Sequence, residues 1–330
     1  MSQPVRRPET NLQRYTTSSR GPFSRLAFAK PSFPRGLIVN KHFATRFMHP
    51  LIDSALFSLD MTIERSGLGN ALMPFFGGPL AGLARRRKRY VARQVLRTLA
   101  LRRQVSAGPF AGMRYANLEA KCSAILPKLF GTYERELASI LERLLRGRTY
   151  NVCIDIGSAE GYYAVGVALL QPQCKVYAVD NDPSALELCK QNAIANDCAE
   201  RVALMNAITA SELSDFLLKS PSLIISDCEG YEKELFNASS VRNLSGCDVI
   251  IEVHSFVDPA IEEHLQTLFA LTHDLNVVKS LDDRDKAHVY DVPAIMKFDI
   301  ATRTHLLSEF RPCPMEWFVF TPKISMECGY

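Results

Sequence analysis

The chain has 330 residues and carries 39 Lys and Arg against 35 Asp and Glu, a formal net charge of +4. Hydrophobic residues make up 47% and charged residues 22%, which is ordinary for a globular protein and excludes a mostly disordered, collagen-like or coiled-coil chain. No apolar run reaches the roughly 18 residues of a membrane span, so no membrane-spanning segment is expected. The length is that of about two domains, or of one domain with a long extension.

The net charge hides a strong asymmetry between the two halves of the chain. Residues 1–150 contain 26 Lys and Arg against 8 Asp and Glu, whereas residues 151–330 contain 13 against 27. This asymmetry predicts that the halves have different roles or that one packs on the other. We therefore predict an irregular basic region (1–79), a helical subdomain (80–150) and a third domain (151–330).

The composition of the first fifty residues predicts a largely irregular segment, because nine basic residues accompany a single acid and six prolines. An Arg- and Ser-rich, acid-poor start is also typical of an organelle transit peptide, although the prolines disfavour the helix of such peptides. The nine cysteines of the chain form neither a C-x-x-C pair nor a zinc-like spacing. They indicate free thiols in a reducing compartment, so we expect a cytoplasmic protein, with organelle targeting as the alternative.

A helix is predicted from residue 80 to residue 104, where apolar residues recur at spacings of three and four. Another face of this helix carries Arg85, Arg89, Arg93 and Arg97, which we call the arginine stripe. Such a stripe binds RNA phosphates, acidic lipid or an acidic partner, or it is a solvated face or packs on the acidic half of the chain. Nucleic acid is therefore an alternative partner, through these four arginines.

Residues 151–330 alternate short apolar runs with amphipathic segments. This alternation predicts an α/β fold with right-handed crossovers and a doubly wound, mostly parallel sheet. The last two strands lack a crossover helix, so we expect them to pair antiparallel at one edge. The predicted strands are 152–157, 175–180, 201–207, 222–227, 247–254, 275–281 and 317–322. The predicted helices here and just before are 133–145, 162–170, 183–196, 211–219, 230–237 and 258–271.

The loop after the first strand indicates which ligand the sheet binds, because ligands of such sheets lie beyond the carboxyl ends of the strands. Its residues are Asp155, Ile156, Gly157, Ser158, Ala159, Glu160 and Gly161, which do not form G-x-G-x-x-G. A carboxylate at Glu160 would repel the pyrophosphate of a dinucleotide. S-adenosylmethionine (SAM) carries a sulfonium, an ammonium and one carboxylate, and it fits this loop.

The ends of the second and third strands complete the predicted cofactor site. The second strand ends in Asp180, 25 residues after the acid of the first strand, where an acid accepts hydrogen bonds from ribose hydroxyls. The alternative role of Asp180 is to cap the next helix. Asn181 follows it, and Asn206 and Ala207 at the third strand are expected near the adenine.

Three segments carry a family resemblance: LIISDCEGYEKELF at 223–236, GTYEREL at 131–137 and IIEVH at 250–254. With the loop and the strand alternation, they resemble class I SAM-dependent methyltransferases over about residues 130–322, and FkbM-like methyltransferases within that class. The resemblance implies a seven-stranded Rossmann-like methyltransferase sheet with an antiparallel last hairpin. It also implies methyl transfer, commonly to a hydroxyl of a sugar or natural product. Residues 1–105 resemble no family that we recognise.

Asp227, Glu229 and His254 are the candidates for the chemistry. Asp227 also belongs to the predicted cofactor site, since the resemblance places the end of the fourth strand beside the sulfonium. A hydroxyl nucleophile needs a base or a metal. His254 ends the fifth strand and has an ordinary pKa near neutrality, so we predict that it is the base. The alternatives are a substrate-orienting His254, a Glu229 that favours the next helix start, and a divalent metal held by all three, although no metal is the main prediction.

The acceptor is predicted from one missing motif and one long connection. No Asn/Asp-Pro-Pro-Tyr/Phe motif follows the fourth strand, which favours oxygen over amino nitrogen. The connection 282–316 is expected over the substrate face, with Arg303, His305, Glu309 and Arg311 as candidate contacts. We therefore expect an O-directed methyltransferase acting on a small hydroxylated acceptor. The alternatives are an RNA methyltransferase that uses the arginine stripe and a catalytically idle SAM-fold interaction protein, whereas an NAD-dependent enzyme is disfavoured.

Overall fold

The computed structural model describes residues 68–100, 102–218 and 221–323. The transit-peptide alternative and most of the predicted irregular region lie outside these residues. Helix α1 (Leu68–Ala100) starts inside that region and so begins earlier than predicted. Within the described ranges, no helix has the length and apolar character needed to cross a lipid bilayer.

Seven strands of the described residues form one sheet. They are β1 (Val152–Ile156), β2 (Lys175–Val179), β3 (Val202–Met205), β4 (Ser222–Ser226), β5 (Cys247–Val253), β6 (His273–Lys279) and β7 (Glu316–Pro322). Their order in the sheet is β3-β2-β1-β4-β5-β7-β6. The first five are parallel, and β7 is antiparallel to both β5 and β6. The predicted doubly wound sheet with an antiparallel last pair is therefore confirmed.

The central strands are buried on both faces, which explains why their sequences read as continuous apolar runs rather than as alternating patterns. Every residue of β1, β4 and β5 is buried. Successive side chains of β1 enter opposite cores: Cys153 packs in one hydrophobic cluster, whereas Val152 and Ile154 pack in the other. Helices on both faces of the sheet are therefore required to cover it.

The helices agree with the predictions where they are long. Several short helices were not predicted, because one or two turns give no clear periodic signal. These are Ile125–Phe130, Ala238–Asn243, Asp283–Val289 and Ile300–Leu307. After α1 come α2 (Ile125–Phe130), α3 (Ala138–Gly147), α4 (Tyr162–Leu170), α5 (Pro183–Ala195), α6 (Ala210–Asp215), α7 (Glu232–Leu235), α8 (Ala238–Asn243), α9 (Ala260–Phe269), α10 (Asp283–Val289) and α11 (Ile300–Leu307).

Helix α1 packs on the C-terminal part of the chain through one face only. Val91 and Val95 are buried in a cluster with residues of α11, and Arg87 forms a 2.8 Å ion pair with Asp299. All four members of the arginine stripe are exposed. Helix α1 of the basic half therefore packs on the acidic half through Val91, Val95 and Arg87. The arginine stripe faces solvent.

The predicted subdomain 80–150 does not have a core of its own. Between α1 and α2 the chain is mostly irregular, with an isolated bridge between Gln104 and Arg114. Phe110 and Tyr115 in this stretch are buried in the same cluster as Cys153 of β1. Residues 102–150 are thus an extension of the sheet domain that covers one of its faces.

Candidate active site

Two adjoining cavities lie at the carboxyl ends of β1, β2 and β4. The larger, which we call the cofactor cavity, has a volume of about 440 Å³. The smaller, which we call the acceptor cavity, has a volume of about 110 Å³. The residues that line both cavities are Cys122, Ser123, Tyr133, Asp227 and Glu229.

Asp155 lies at the end of β1 and lines the cofactor cavity. Its carboxylate accepts a 2.8 Å hydrogen bond from the Ala164 N–H and is thereby held at the start of α4. Burial raises the pKa of Asp155 to about 7, against that hydrogen bond, and the charges of Asp227 and Asp180 add to the rise. The charge of the ionised Asp155 carboxylate is therefore not fully balanced by a neighbouring cation, and this suits a cationic ligand.

The two glycines of the loop serve packing more than ligand approach. Gly157 has φ +78°, and a Cβ there would lie 1.7 Å from the carbonyl oxygen of Asp227. Gly161 has φ +87°, and its Cβ would lie 2.6 Å from Cys189 Sγ. Gly157 lines the cofactor cavity but Gly161 does not. The glycines let the loop pack against the end of β4 and against α5.

Ser158 and Ala159 line the cofactor cavity between the two glycines. The Ser158 hydroxyl is buried and has no hydrogen-bond partner among the described residues. A buried hydroxyl without a partner is costly, so it points to a polar ligand group in this cavity.

Glu160 corrects the sequence analysis. Its side chain is fully buried and does not line the cofactor cavity. Its two carboxylate oxygens accept hydrogen bonds from Lys128 Nζ at 2.5 Å and from the Lys121 N–H at 3.0 Å. Because Lys128 neutralises it, Glu160 does not repel a phosphate, and the case against a dinucleotide has to rest on the acids that do line the cavity.

Lys128 is a functional candidate that the sequence analysis missed. Lys128 lines the cofactor cavity although its side chain is only 3% exposed. It also donates a 2.8 Å hydrogen bond to Ser123 Oγ and lies over the rings of Tyr133 and Tyr162. A buried cation on the wall near Asp155 can bind the carboxylate of an amino acid whose ammonium group meets the acid.

Asp180 lines the cofactor cavity at the end of β2, with Asn181 beside it. It accepts 2.8 Å hydrogen bonds from the N–H groups of Ala159 and Asp182, which hold the carboxylate in place. The N-cap of α5 is Asp182, not Asp180. The capping alternative for Asp180 is therefore wrong, and each of its oxygens retains capacity to accept a further hydrogen bond.

Of the two residues predicted near the adenine, one lines the cofactor cavity and the other does not. Ala207 lines the cofactor cavity, followed by Ile208 and Thr209. Asn206 is exposed and is not part of the lining, so it is dropped from the candidate site. Residues 206–208 connect two elements, because β3 ends at Met205 and Thr209 caps α6.

The structure brings the three predicted catalytic residues together at the junction of the cavities. His254 Nε2 lies 3.4 Å from Asp227 Oδ1 and 3.6 Å from Glu229 Oε2. His254 Nδ1 lies 2.5 Å from an oxygen of Glu232, a fully buried carboxylate that the sequence analysis missed. Glu232 therefore fixes the ring so that Nε2 faces the other two carboxylates.

Burial and charges at this junction shift the pKa values of both Asp227 and His254. Burial, assisted by Glu134, raises the pKa of Asp227 to about 7, while His254 opposes the rise. Burial opposes the positive charge on His254, but the hydrogen bond to Glu232 and the charge of Asp227 outweigh it and raise its pKa. The Asp227 side chain is 37% exposed, and this exposed part faces the cavities.

The far wall of the acceptor cavity is a buried ionic cluster around Arg311. The guanidinium group donates hydrogen bonds to Glu134, Glu252 and Glu309, which come from three separate parts of the chain. Lys286 also donates to Glu309. This Arg311 cluster holds the wall rigid and leaves it with more carboxylates than cations.

Two of the four candidate contacts from the last connection reach the acceptor cavity. Glu309 and Arg311 line it, whereas Arg303 and His305 on α11 do not. Phe256 and Phe310 also line it and are largely exposed, so they form an aromatic rim. The rim and the charged wall together suit a small polar acceptor.

Comparisons with known proteins concern the same part of the chain. Residues 136–220 match the family model of the ribosomal protein L11 methyltransferase, PrmA. A tRNA1(Val) (adenine(37)-N6)-methyltransferase of Porphyromonas gingivalis is 24% identical over 174 residues, covering 48% of this chain and 65% of the relative. A probable cobalt-precorrin-6B C(15)-methyltransferase of Pyrobaculum calidifontis is 31% identical over 118 residues, covering 32% and 60%. The chain thus spans less than two thirds of either relative's length.

One solved structure, a precorrin-6Y C5,15-methyltransferase from Geobacter metallireducens, is 16% identical with a TM-score of 0.38, covering 54% of this chain and 84% of that one. The matching sequences are all methyltransferases by description, and the matched region contains the loop and Asp180. The cofactor cavity fits SAM through Asp155, Asp180 and the unpartnered Ser158 hydroxyl. Over the matched part of the chain, the sequence is therefore similar to class I SAM-dependent methyltransferases.

Proposed function

We propose that this protein transfers the methyl group of SAM to a hydroxyl group of a small acceptor, as an FkbM-like O-methyltransferase. The observation that carries the proposal is the junction of the two cavities at Asp227. A ligand in the cofactor cavity and an acceptor in the smaller cavity would meet there, which is the alignment that an in-line displacement needs.

The reaction needs a methyl donor, an aligned acceptor and a way to remove one proton. SAM supplies a methyl group on a positively charged sulfur. The hydroxyl oxygen forms the new C–O bond while the C–S bond breaks, the electron pair stays on the sulfur, and the hydroxyl proton leaves. The Arg311 cluster and the aromatic rim orient the acceptor, and Asp227, Glu229 and His254 surround the hydroxyl.

Two ways of activating the hydroxyl are compatible with these residues. In the first, His254 Nε2 accepts the proton and Glu232 orients the ring, as in other base and carboxylate pairs. In the second, the three side chains hold a divalent cation that lowers the pKa of the bound hydroxyl. Both make His254 essential for turnover and neither gives it a contact with the cofactor's adenine or ribose.

The charge of the acceptor cavity argues against a phosphorylated acceptor. Asp227, Glu229, Glu252 and Glu309 line it, with Arg311 as the cation of the lining. Phosphate oxygens placed there would meet like charges at short range. A neutral or cationic hydroxyl compound is therefore favoured over a nucleotide sugar or a sugar phosphate.

The experiment is a methyl-transfer assay with isotopically labelled SAM and a panel of small hydroxyl compounds, with amines and phosphorylated analogues beside them. We expect label in neutral or cationic hydroxyl acceptors, and a loss of about 100-fold or more in His254→Ala. Glu234→Gln is the matched control, because Glu234 is exposed near the site but lines neither cavity. Label found only in amines would contradict oxygen as the acceptor.

RNA methylation is the second candidate, and the exposed arginine stripe favours it. A relative that matches this chain is described as a tRNA methyltransferase. If RNA is the acceptor, RNA affinity should fall steeply with salt and should drop when the stripe is changed to glutamines. SAM affinity should not change, since none of the four arginines lines the cofactor cavity. An absence of RNA binding at low salt would exclude this candidate.

A catalytically idle interaction protein is the third candidate, and it predicts a stable partner without turnover.

We also propose a cytoplasmic, reducing location. All eight cysteines within the described ranges are free thiols, and most are buried. Free thiols of this number persist where the cell keeps thiols reduced.

A further inference from the structure

We propose that Asp227, Glu229 and His254 bind one divalent cation at the junction of the two cavities. The inference rests on the proposed function and deepens it, because the ion would be the group that activates the acceptor hydroxyl. The three ligand atoms all lie within 4.8 Å of one another. Asp227 and His254 directly follow the paired strands β4 and β5, so the sheet sets their spacing, and Glu229 lies in the loop after β4.

The environment of His254 is that of a metal ligand. Its side chain is 3% exposed, Nδ1 is engaged by the buried Glu232, and Nε2 faces two further carboxylates. Histidines that bind metals commonly hydrogen bond through their other nitrogen to a carboxylate, which fixes the ring and raises its basicity. Three carboxylates around one imidazole leave an excess of negative charge that a cation would balance.

The distances between the ligand atoms suit coordination. With bonds of about 2.1 Å, neighbouring ligand atoms are about 3.0 Å apart in octahedral and about 3.4 Å apart in tetrahedral geometry. His254 Nε2 lies 3.4 Å from Asp227 Oδ1 and 3.6 Å from Glu229 Oε2. The Glu229 side chain is 69% exposed, so its rotation can bring Oε2 to coordination distance from the other two ligand atoms without moving the sheet.

A buried oxygen at this junction also lacks a hydrogen bond among the described residues, although His254 Nε2 lies 3.4 Å from it. Asp227 Oδ1 is buried and makes no hydrogen bond within the described parts of the chain. The cations of this region do not satisfy it, because Arg311 and Lys286 donate to Glu134, Glu252 and Glu309. A carboxylate oxygen that faces an imidazole nitrogen without a hydrogen bond retains lone pairs that a cation could bind.

The donor set indicates the class of ion. Two carboxylate oxygens and one imidazole nitrogen suit Mn²⁺ or Zn²⁺ better than Mg²⁺ or Ca²⁺, which prefer oxygen ligands alone. Three protein ligands leave coordination positions free, and the acceptor cavity adjoins them. A hydroxyl bound there would release its proton to water and become the nucleophile, so His254 would hold the ion rather than the proton.

Calorimetry and electron paramagnetic resonance with Mn²⁺ test this site on the full chain after removal of metals by a chelator. Mn²⁺ is the probe because the nearby thiols of Cys122 and Cys228 would compete for softer ions. We expect one Mn²⁺ per chain and a ligand-induced change in its spectrum. The affinity should fall about 10-fold or more in Asp227→Asn and His254→Ala, and about 10- to 100-fold in Glu232→Gln.

Glu234→Gln is the matched control, and it should bind Mn²⁺ as the unchanged chain does. Thermal unfolding of every variant shows whether it is folded, because Asp227 also lines the cofactor cavity and SAM binding is not an independent check of its variant. Two results would overturn the site: no Mn²⁺ binding up to millimolar concentration by a chain that binds SAM, or binding that His254→Ala leaves unchanged. With either result, methyl transfer that persists in chelator would leave the proposed function standing with His254 as the base. Mn²⁺ binding without any methyl transfer would instead contradict the proposed function and keep the site.

Discussion

Asp180 shows at the scale of one residue how the backbone prepares a ligand group. Two N–H groups hold its carboxylate at the cavity wall. We predict that Asp180→Ala weakens SAM binding by about 1–3 kcal/mol, the loss expected for hydrogen bonds to a charged group. Calorimetry measures it, with Asp197→Ala on the exposed surface as control. An unchanged affinity would remove Asp180 from the ribose site.

Lys128 is predicted to recognise the carboxylate of the cofactor's amino acid. Removing it alone would leave Glu160 buried and unpaired, so the test is the double variant Lys128→Met with Glu160→Gln. SAM should bind about 10- to 100-fold more weakly. Methylthioadenosine, which lacks the amino acid, should bind as before. An equal loss for both ligands would show that the pair is only structural.

Asp155 predicts a pH dependence of SAM binding. Because the pKa of Asp155 is raised to about 7, its carboxylate is protonated at lower pH and cannot pair with the cofactor's ammonium. SAM affinity should therefore rise from pH 6 to about 7.5, and it should fall above about 8 as the ammonium itself loses its proton. Calorimetry across this range checks it, and methylthioadenosine should show no such profile. A flat profile for SAM would contradict the assignment of Asp155.

The residues that could be predicted from the sequence are those whose role follows from the end of a strand. Asp155, Asp180, Asp227 and His254 each follow a buried run, and parallel strands bring such ends to one edge. Glu232, Lys128 and the Arg311 cluster could not be predicted in the same way. Their roles depend on pairs between side chains far apart in the chain, such as Lys128 with Glu160 and Arg311 with Glu134.

Glu160 shows which feature of a loop the sequence does not predict. Its place in the turn was predicted correctly, but the direction of its side chain was not. A side chain in a turn faces ligand or core according to the backbone angles. Here Glu160 enters the core, where Lys128 balances its charge.

At the scale of an element, the loop from β1 to α4 depends on Gly157. We predict that Gly157→Ala lowers the free energy of unfolding by at least about 2 kcal/mol, because its φ is +78° and the new Cβ would clash with the Asp227 carbonyl. Thermal or urea unfolding measures the loss. Gly147→Ala is the control, since a Cβ there meets nothing within 4 Å and no loss is expected. Equal stability of the two variants would contradict this account of the loop.

The sheet was predictable as a set of elements, and the short helices were not. Apolar runs such as Ser222–Ser226 are buried on both faces and so stand out in the sequence. The helices between β6 and β7 are too short to show a period, and they position Glu309 and Arg311 at the acceptor cavity. The residues on the acceptor side are therefore held by elements that the sequence pattern does not reveal.

At the scale of the whole molecule, the charge asymmetry separates two surfaces. The acidic half supplies most of the lining of the cavities, including the carboxylates that suit a cationic cofactor and disfavour phosphate, and residues 121–133 supply the rest. The basic helix α1 docks through its valines and leaves the arginine stripe exposed. The two surfaces are therefore independent: charge changes on the stripe should leave cofactor binding intact.

The central claim is that the larger cavity is a SAM site, and parallel calorimetric titrations of the purified chain with SAM, S-adenosylhomocysteine and NAD⁺ test it most directly. We predict binding of SAM and S-adenosylhomocysteine in the micromolar range and no binding of NAD⁺. Asp155 and Asp180 would accept the ammonium and ribose of the first two, whereas the pyrophosphate of NAD⁺ would lie among carboxylates. Binding of NAD⁺ but not of SAM would contradict the account.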